Sequence, residues 1–145
     1  MLKVKESGEP IPAAGVTIGE AARRTGVSVH TLRYYERAGL VVSAVDRTSG
    51  GTRRYHRTDL KWITICSKLR ATGMPIRTMR RYAELVAAGP GNEDERLALL
   101  ETHHAEVLQK LAETQEHLKE IERKIDIYRG RMAAGDADTL WAPAR

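Results

Sequence analysis

The chain has 145 residues, room for one modest domain and an appendage, and its composition is that of a water-soluble protein: 41% hydrophobic, 30% charged and 5% aromatic, with no Phe. The net charge of +5 conceals a gradient, because residues 1–89 hold 16 Lys/Arg against 7 Asp/Glu while residues 90–145 hold 8 against 12; the first part suits an anionic polymer or is simply a solvated basic surface, and charge alone favours neither. A single cysteine, Cys66, excludes an internal disulfide framework and a multi-cysteine zinc site, and fits a reducing cytoplasm.

Residues 1–15, "MLKVKESGEPIPAAG", hold no apolar run long enough for a signal sequence or a membrane span, and their Gly, Pro and Ser content predicts a flexible lead-in. Residues 16–89 read as one head domain. Thr17 is a candidate N-cap with Glu20 three residues on, a capping box, and Gly26 closes that helix. Ser28 caps the next. Two short helices joined by a glycine turn make a helix-turn-helix candidate, with Ile18, Ala21, Ala22, Val27, Leu32 and Tyr35 filling the angle. That leaves His30, Thr31, Arg33, Tyr34 and Arg37 for the outer faces of the second helix. In "GLVVSAVDRTSGGTRRYHR" the valines favour a strand, "TSGG" a turn and "TRRYH" a returning strand, which predicts a hairpin carrying Arg47, Arg53 and Arg54 at its tip. A third helix is expected from a Thr58 cap to about Ala71. A fourth starts on Pro75 and stops at "AAGPGN".

Residues 92–132 carry the clearest pattern. Leu97, Leu100, His104, Val107, Leu111, Thr114, Leu118, Ile121, Ile125, Tyr128 and Met132 recur by alternating three and four, a heptad seam of about five repeats and roughly 50 Å. Such a stripe predicts a partner helix. Packing back on its own domain is the alternative. Residues 133–145 form a tail.

In a helix-turn-helix the second helix enters the major groove. Arg33 and Arg37 then reach phosphates or guanine edges and Tyr34 donates to phosphate. Thr31 meets a thymine methyl or a base edge, and His30 donates or accepts. An exposed polar helix on some other helical domain is the bland reading of the same residues.

The segments "TIGEAARRTGVSVHTLRYYERAGL", "GGTRRY" and "LRATGMPIRTMRRY" together resemble the MerR family of bacterial transcription regulators, over about residues 17–130. "DLKWI", "GMPI", "YAELVAAG" and "ERLALLETHH" are similar to the short subset that includes aldehyde-responsive members. The resemblance implies a mainly helical fold: a winged helix-turn-helix head with a small β-hairpin wing and a long C-terminal helix that pairs as an antiparallel coiled-coil homodimer. It also implies binding to palindromic double-stranded promoter DNA and distortion of an over-long spacer, so that RNA polymerase engages both promoter elements, usually as an activator. Position by position it implies DNA contacts from Arg33, Tyr34, Arg53, Arg54, Tyr55 and Arg77; Thr17, at the start of the first helix, is a further DNA-binding candidate. The family often has arginine where this chain has His30.

No cofactor or metal is expected. Metal-sensing members carry cysteines near the start of the dimer helix and in a following loop, where this chain has none, and the length leaves no room for a drug-binding C-terminal domain. In the aldehyde-responsive subset a cysteine precedes the Leu-Arg of the third helix. Lys68 stands there in this chain, and Cys66 lies two residues earlier, turned by roughly 200°, which favours a buried, inert thiol over a sensor. His103 and His104 lack the i, i+4 spacing of a helical zinc pair. No nucleophile–base set or phosphate loop is visible, so catalysis is not expected. The rival function is a coiled-coil interaction protein whose basic head binds an acidic partner.

Overall fold

The computed structural model describes residues 9–143. Its elements are α1 (Ile18–Thr25), α2 (Val29–Arg37), β1 (Asp46–Arg47), β2 (Arg53–Arg54), α3 (Arg57–Ala71), α4 (Ile76–Ala87), α5 (Glu93–Ala134) and a single 3-10 turn, Ala137–Thr139. The chain divides into two compact units, one through His103 and one from His104. No helix among the described residues is long and apolar enough to cross a membrane.

The first unit is built around the α1–α2 angle. The Thr17 hydroxyl accepts from the Glu20 amide, and the Ser28 hydroxyl does the same for Thr31, so each helix starts on a satisfied cap. The Glu20 side chain does not complete the capping box; it pairs with Arg23 and Arg24 instead. Gly26, at φ 72°, makes the left-handed turn between the helices and donates its amide to Ala22. Ala21, Val27, Leu32 and Tyr35 pack into the angle with Leu40, Leu60, Trp62, Ile63, Cys66, Met74 and Met79. Trp62 donates its indole N–H to the Leu40 carbonyl and stacks on Tyr82 at 5.6 Å.

Several boundaries differ from expectation. The expected strand through Val41–Val45 is loop, because Val42 and Val45 turn toward the core; pairing is confined to Asp46 opposite Arg54 and Arg47 opposite Arg53. The third helix is capped by His56, two residues before Thr58, and Asp59 returns a carboxylate bond to the His56 amide at 2.8 Å. Pro75 is the N-cap of α4, one position before its first helical residue.

The lead-in is docked, not loose, over residues 9–15; the rest of it lies outside the described residues. Arg24 binds the Glu9 carbonyl at 2.9 Å and Ile11 packs on the core. Val16 and Tyr55 exchange two backbone bonds of 2.8 Å. Gly15 makes this approach possible. It is at φ 77°, and an added Cβ would stand 2.8 Å from the Tyr55 carbonyl oxygen.

The start of α5 belongs to the first unit. Leu99 and Leu100 pack on its core, and His103 shares a 2.9 Å hydrogen bond with the Thr72 hydroxyl. Leu100, read from the sequence as a seam residue, is therefore spent largely on the head. From His104 on, α5 buries no residue. It presents Val107, Leu111, Leu118, Ile121, Ile125, Tyr128 and Met132 to solvent. Gly135, at φ 77°, follows its last turn, and Arg131 pairs with Asp136 at 2.9 Å.

Candidate nucleic-acid interface

The outer face of α2 follows from its inner one. Leu32 and Tyr35 are buried, which turns His30, Arg33, Tyr34 and Arg37 outward at i, i+3, i+4 and i+7. All four are exposed. Neither Arg33 nor Arg37 bonds or ion-pairs with another described residue. Two guanidiniums without a partner among the described residues, an imidazole and a phenol thus share one strip. Thr31 sits at its edge, and its hydroxyl bonds Ser28 at 2.9 Å. Thr17 is exposed with its hydroxyl on the Glu20 amide. Arg77, in the first turn of α4, is exposed without a bond among the described residues.

The wing arginines are occupied. The hairpin tip is the turn Thr48–Thr52, closed by the Thr48 amide on the Thr52 carbonyl at 2.8 Å, and Arg47 and Arg53 are the pair that adjoins it. Arg53 Nε donates to Glu36 Oε2 at 2.7 Å and Arg47 Nη2 to Glu36 Oε1 at 2.8 Å. Arg54 gives Nε to the Ala14 carbonyl at 3.1 Å and Nη2 to the Gly15 carbonyl at 2.8 Å, strapping the lead-in to β2.

Tyr55 is set back from this surface. It is 1% exposed, a core residue, because its backbone pairs with Val16 and its ring turns inward behind the wing. Its hydroxyl has no hydrogen-bond partner among the described residues, and burial pushes its pKa up.

Charge in the head is managed locally. Glu20 holds Arg23 and Arg24, which lower its pKa to about 2. Partial burial of Glu36 opposes its ionisation, but Arg53 and Arg47 outweigh that and hold its carboxyl below the usual range. A hydrogen bond from His56, 3.2 Å away, lowers Asp46. Cys66 is 2% exposed, and burial pushes its thiol up to about 12; the thiol lies 3.9 Å from the Leu40 carbonyl oxygen. No cluster of metal-ligating side chains occurs among the described residues.

Sequence reasoning missed Glu36. It stands 11 and 17 residues from its partners, and its one signal was an acid inside an otherwise basic helix face. It also missed Arg80, whose Nε donates to the Ala38 carbonyl at 2.8 Å and ties α4 to the end of α2.

Two helices set at an angle by a glycine, an outward strip of unpaired cations and a two-stranded hairpin beside them define the winged helix-turn-helix class. The profile of the MerR HTH family regulatory proteins matches residues 16–85. With an HTH-type transcriptional regulator of Haemophilus influenzae, itself uncharacterized, the chain shares 33% identity over 127 residues, 88% of this chain and 93% of that one. The chain therefore belongs to the MerR family of transcriptional regulators. It is also 34% identical over 85 residues to the HTH-type transcriptional regulator AdhR of Bacillus subtilis, covering 59% of this chain and 60% of AdhR. Among solved structures it resembles HiNmlR, described as a MerR family regulator lacking the sensor domain and bound to promoter DNA, with a TM-score of 0.70, 33% identity and coverage of 86% and 98%. A MerR family regulator from Bacillus thuringiensis matches with a TM-score of 0.64, 31% identity and coverage of 78% and 98%.

Proposed function

We propose that the chain binds a two-fold promoter site as a homodimer, places α2 of each protomer in a major groove, and distorts the intervening DNA so that RNA polymerase can use the promoter. The observation that carries this reading is the strip His30, Arg33, Tyr34 and Arg37. Its exposed cations have no partner among the described residues, and its spacing suits one face of a helix lying in a groove. Thr31 and Thr17 border the strip, and Arg77 is available for backbone phosphate. The promoter-bound state of HiNmlR supports the same class of ligand.

The dimer is supported by α5. Val107, Leu111, Leu118, Ile121, Ile125, Tyr128 and Met132 repeat at heptad spacing and stay exposed in one chain, which a second copy would cover. Leu97 and His104 extend the stripe toward the N-terminal end, and His104 supplies a polar register point. Antiparallel pairing sets the two heads at opposite ends, as a divided operator requires. Activation is the output proposed, as for a regulator that corrects promoter spacing.

The test is selection of bound duplexes from random DNA, followed by footprinting and in vitro transcription with RNA polymerase. We expect two symmetric half-sites, a hypersensitive centre and a rise in transcript from a promoter with a long spacer. Binding without sequence preference would favour the acidic-partner reading, and protection without central hypersensitivity would remove the distortion step.

A further inference from the structure

Glu36 stands on the last turn of α2, between the exposed side chains of Tyr34 and Arg37, on the element proposed to enter the groove. Its two carboxylate oxygens are used separately, one on Arg47 at 2.8 Å and one on Arg53 at 2.7 Å. Those arginines face each other across the β1–β2 pair. Arg47 adds a bond from Nη1 to the Gly51 carbonyl at 3.1 Å, which fixes its guanidinium against the turn. One carboxylate on the groove-facing helix therefore collects both cations that adjoin the turn of the wing. Guanidiniums converging on two oxygens of one anion are also how arginines grip a phosphate.

We infer that Glu36 stands in for a DNA phosphate, sequestering Arg47 and Arg53 until the wing meets the backbone of a correctly seated operator, and that it thereby sets the selectivity for operator over random DNA. The inference rests on the DNA-binding reading above. Affinity for random DNA comes almost wholly from cations that displace counterions from phosphates. A cation already neutralised inside the protein adds little to that term. On the operator, base contacts from the α2 strip hold the head in register, and the wing then exchanges carboxylate for phosphate at a fixed position. On random DNA no such register exists, and the exchange has no fixed phosphate to meet. A carboxylate acting only as a brace would hold the same three side chains together and would leave this discrimination untouched.

Glu36→Gln in the full-length dimer removes the charge and, because an amide nitrogen cannot accept, one of the two arginine bonds, and the operator-to-scrambled ratio then separates the two roles. Dissociation constants would be measured against KCl for the selected operator and for a scrambled duplex of equal length. We expect the scrambled duplex to bind about three- to tenfold more tightly at 50 mM KCl, its log–log salt slope to steepen by about one unit, and the operator-to-scrambled ratio to fall at least about threefold. A ratio equal to that of the parent, whatever happens to each affinity, overturns the proposal. Should Glu36→Gln fail to fold, Arg47→Gln in the parent decides. A sequestered Arg47 leaves the salt slope on scrambled DNA unchanged, and a slope lowered by about one unit overturns the proposal. A parent protein that binds no duplex selectively removes the DNA-binding reading itself. A selective parent whose Glu36→Gln variant keeps the ratio removes only the role of Glu36.

Discussion

Burial of Cys66 makes the stability of the head depend on alkaline pH in a calculable way. The thiol loses its proton near 9.0 in an ordinary setting and at about 12 in the folded chain, raised by burial. The folded form binds the proton more tightly. The contribution is therefore complete below pH 9 and is lost as pH climbs from 9 toward 12, where only the unfolded chain ionises. At pH 10 the unfolded chain gains about 1.4 kcal/mol from this ionisation, and at pH 8 less than about 0.1 kcal/mol. Urea unfolding at fixed protein concentration, at pH 8 and pH 10, on the parent and Cys66→Ala, isolates the thiol from the buried tyrosines, which both proteins share. The parent should lose about 1.4 kcal/mol more than the variant between the two pH values. The same shift leaves about one thiolate in ten thousand molecules at pH 8, so alkylation in the native state should be about a thousandfold slower than in urea. Identical pH dependence in the two proteins, or native alkylation within tenfold of the unfolded rate, would refute the buried-thiol argument and return Cys66 to the candidates for sensing.

Arg54→Ala removes the strap to the Ala14 and Gly15 carbonyls. It should lower head stability by about 1–2 kcal/mol in urea unfolding while leaving the salt slope of DNA binding unchanged. Gly15→Ala forces a side chain into positive φ and against the Tyr55 carbonyl; a loss of at least about 2 kcal/mol is expected by the same measurement. Leu118→Asp places a carboxylate on the exposed apolar stripe of α5. Burying it in a dimer would cost several kcal/mol, so sedimentation should show monomer, and operator binding should fall with it.

How far the sequence was legible depended on the distance between cause and effect. The caps at Thr17 and Ser28 and the turn at Gly26 are set by residues within four positions, and they were readable. The heptad spacing of α5 is equally local. Tyr55 was grouped with the wing arginines through the family motif alone, whereas its burial follows from a backbone bridge to Val16, 39 residues earlier. The wing arginines were placed at a free tip for the same reason: their partner Glu36 lies on another element. The Cys66 environment was legible because Trp62, Ile63 and Leu69 flank it on one helix face, although the Leu40 carbonyl beside it was not. Leu100 obeys the heptad spacing and yet packs on the head, since a periodic stripe does not record where one partner surface ends and the next begins.

The docking of residues 9–16 bears on where the head can be cut. Similarity to the family profile starts at residue 16, but Glu9, Ile11, Ala14 and Gly15 already anchor the chain to Arg24, to the core and to Arg54. The stretch matched by the family profile therefore begins inside the piece that folds. A fragment begun at Thr17 would deprive Tyr55 of its bridge partner and leave its backbone N–H and carbonyl unpaired within the head. Affinity tags and fusion joints belong ahead of Glu9, and a trimmed head used for binding work should retain that residue.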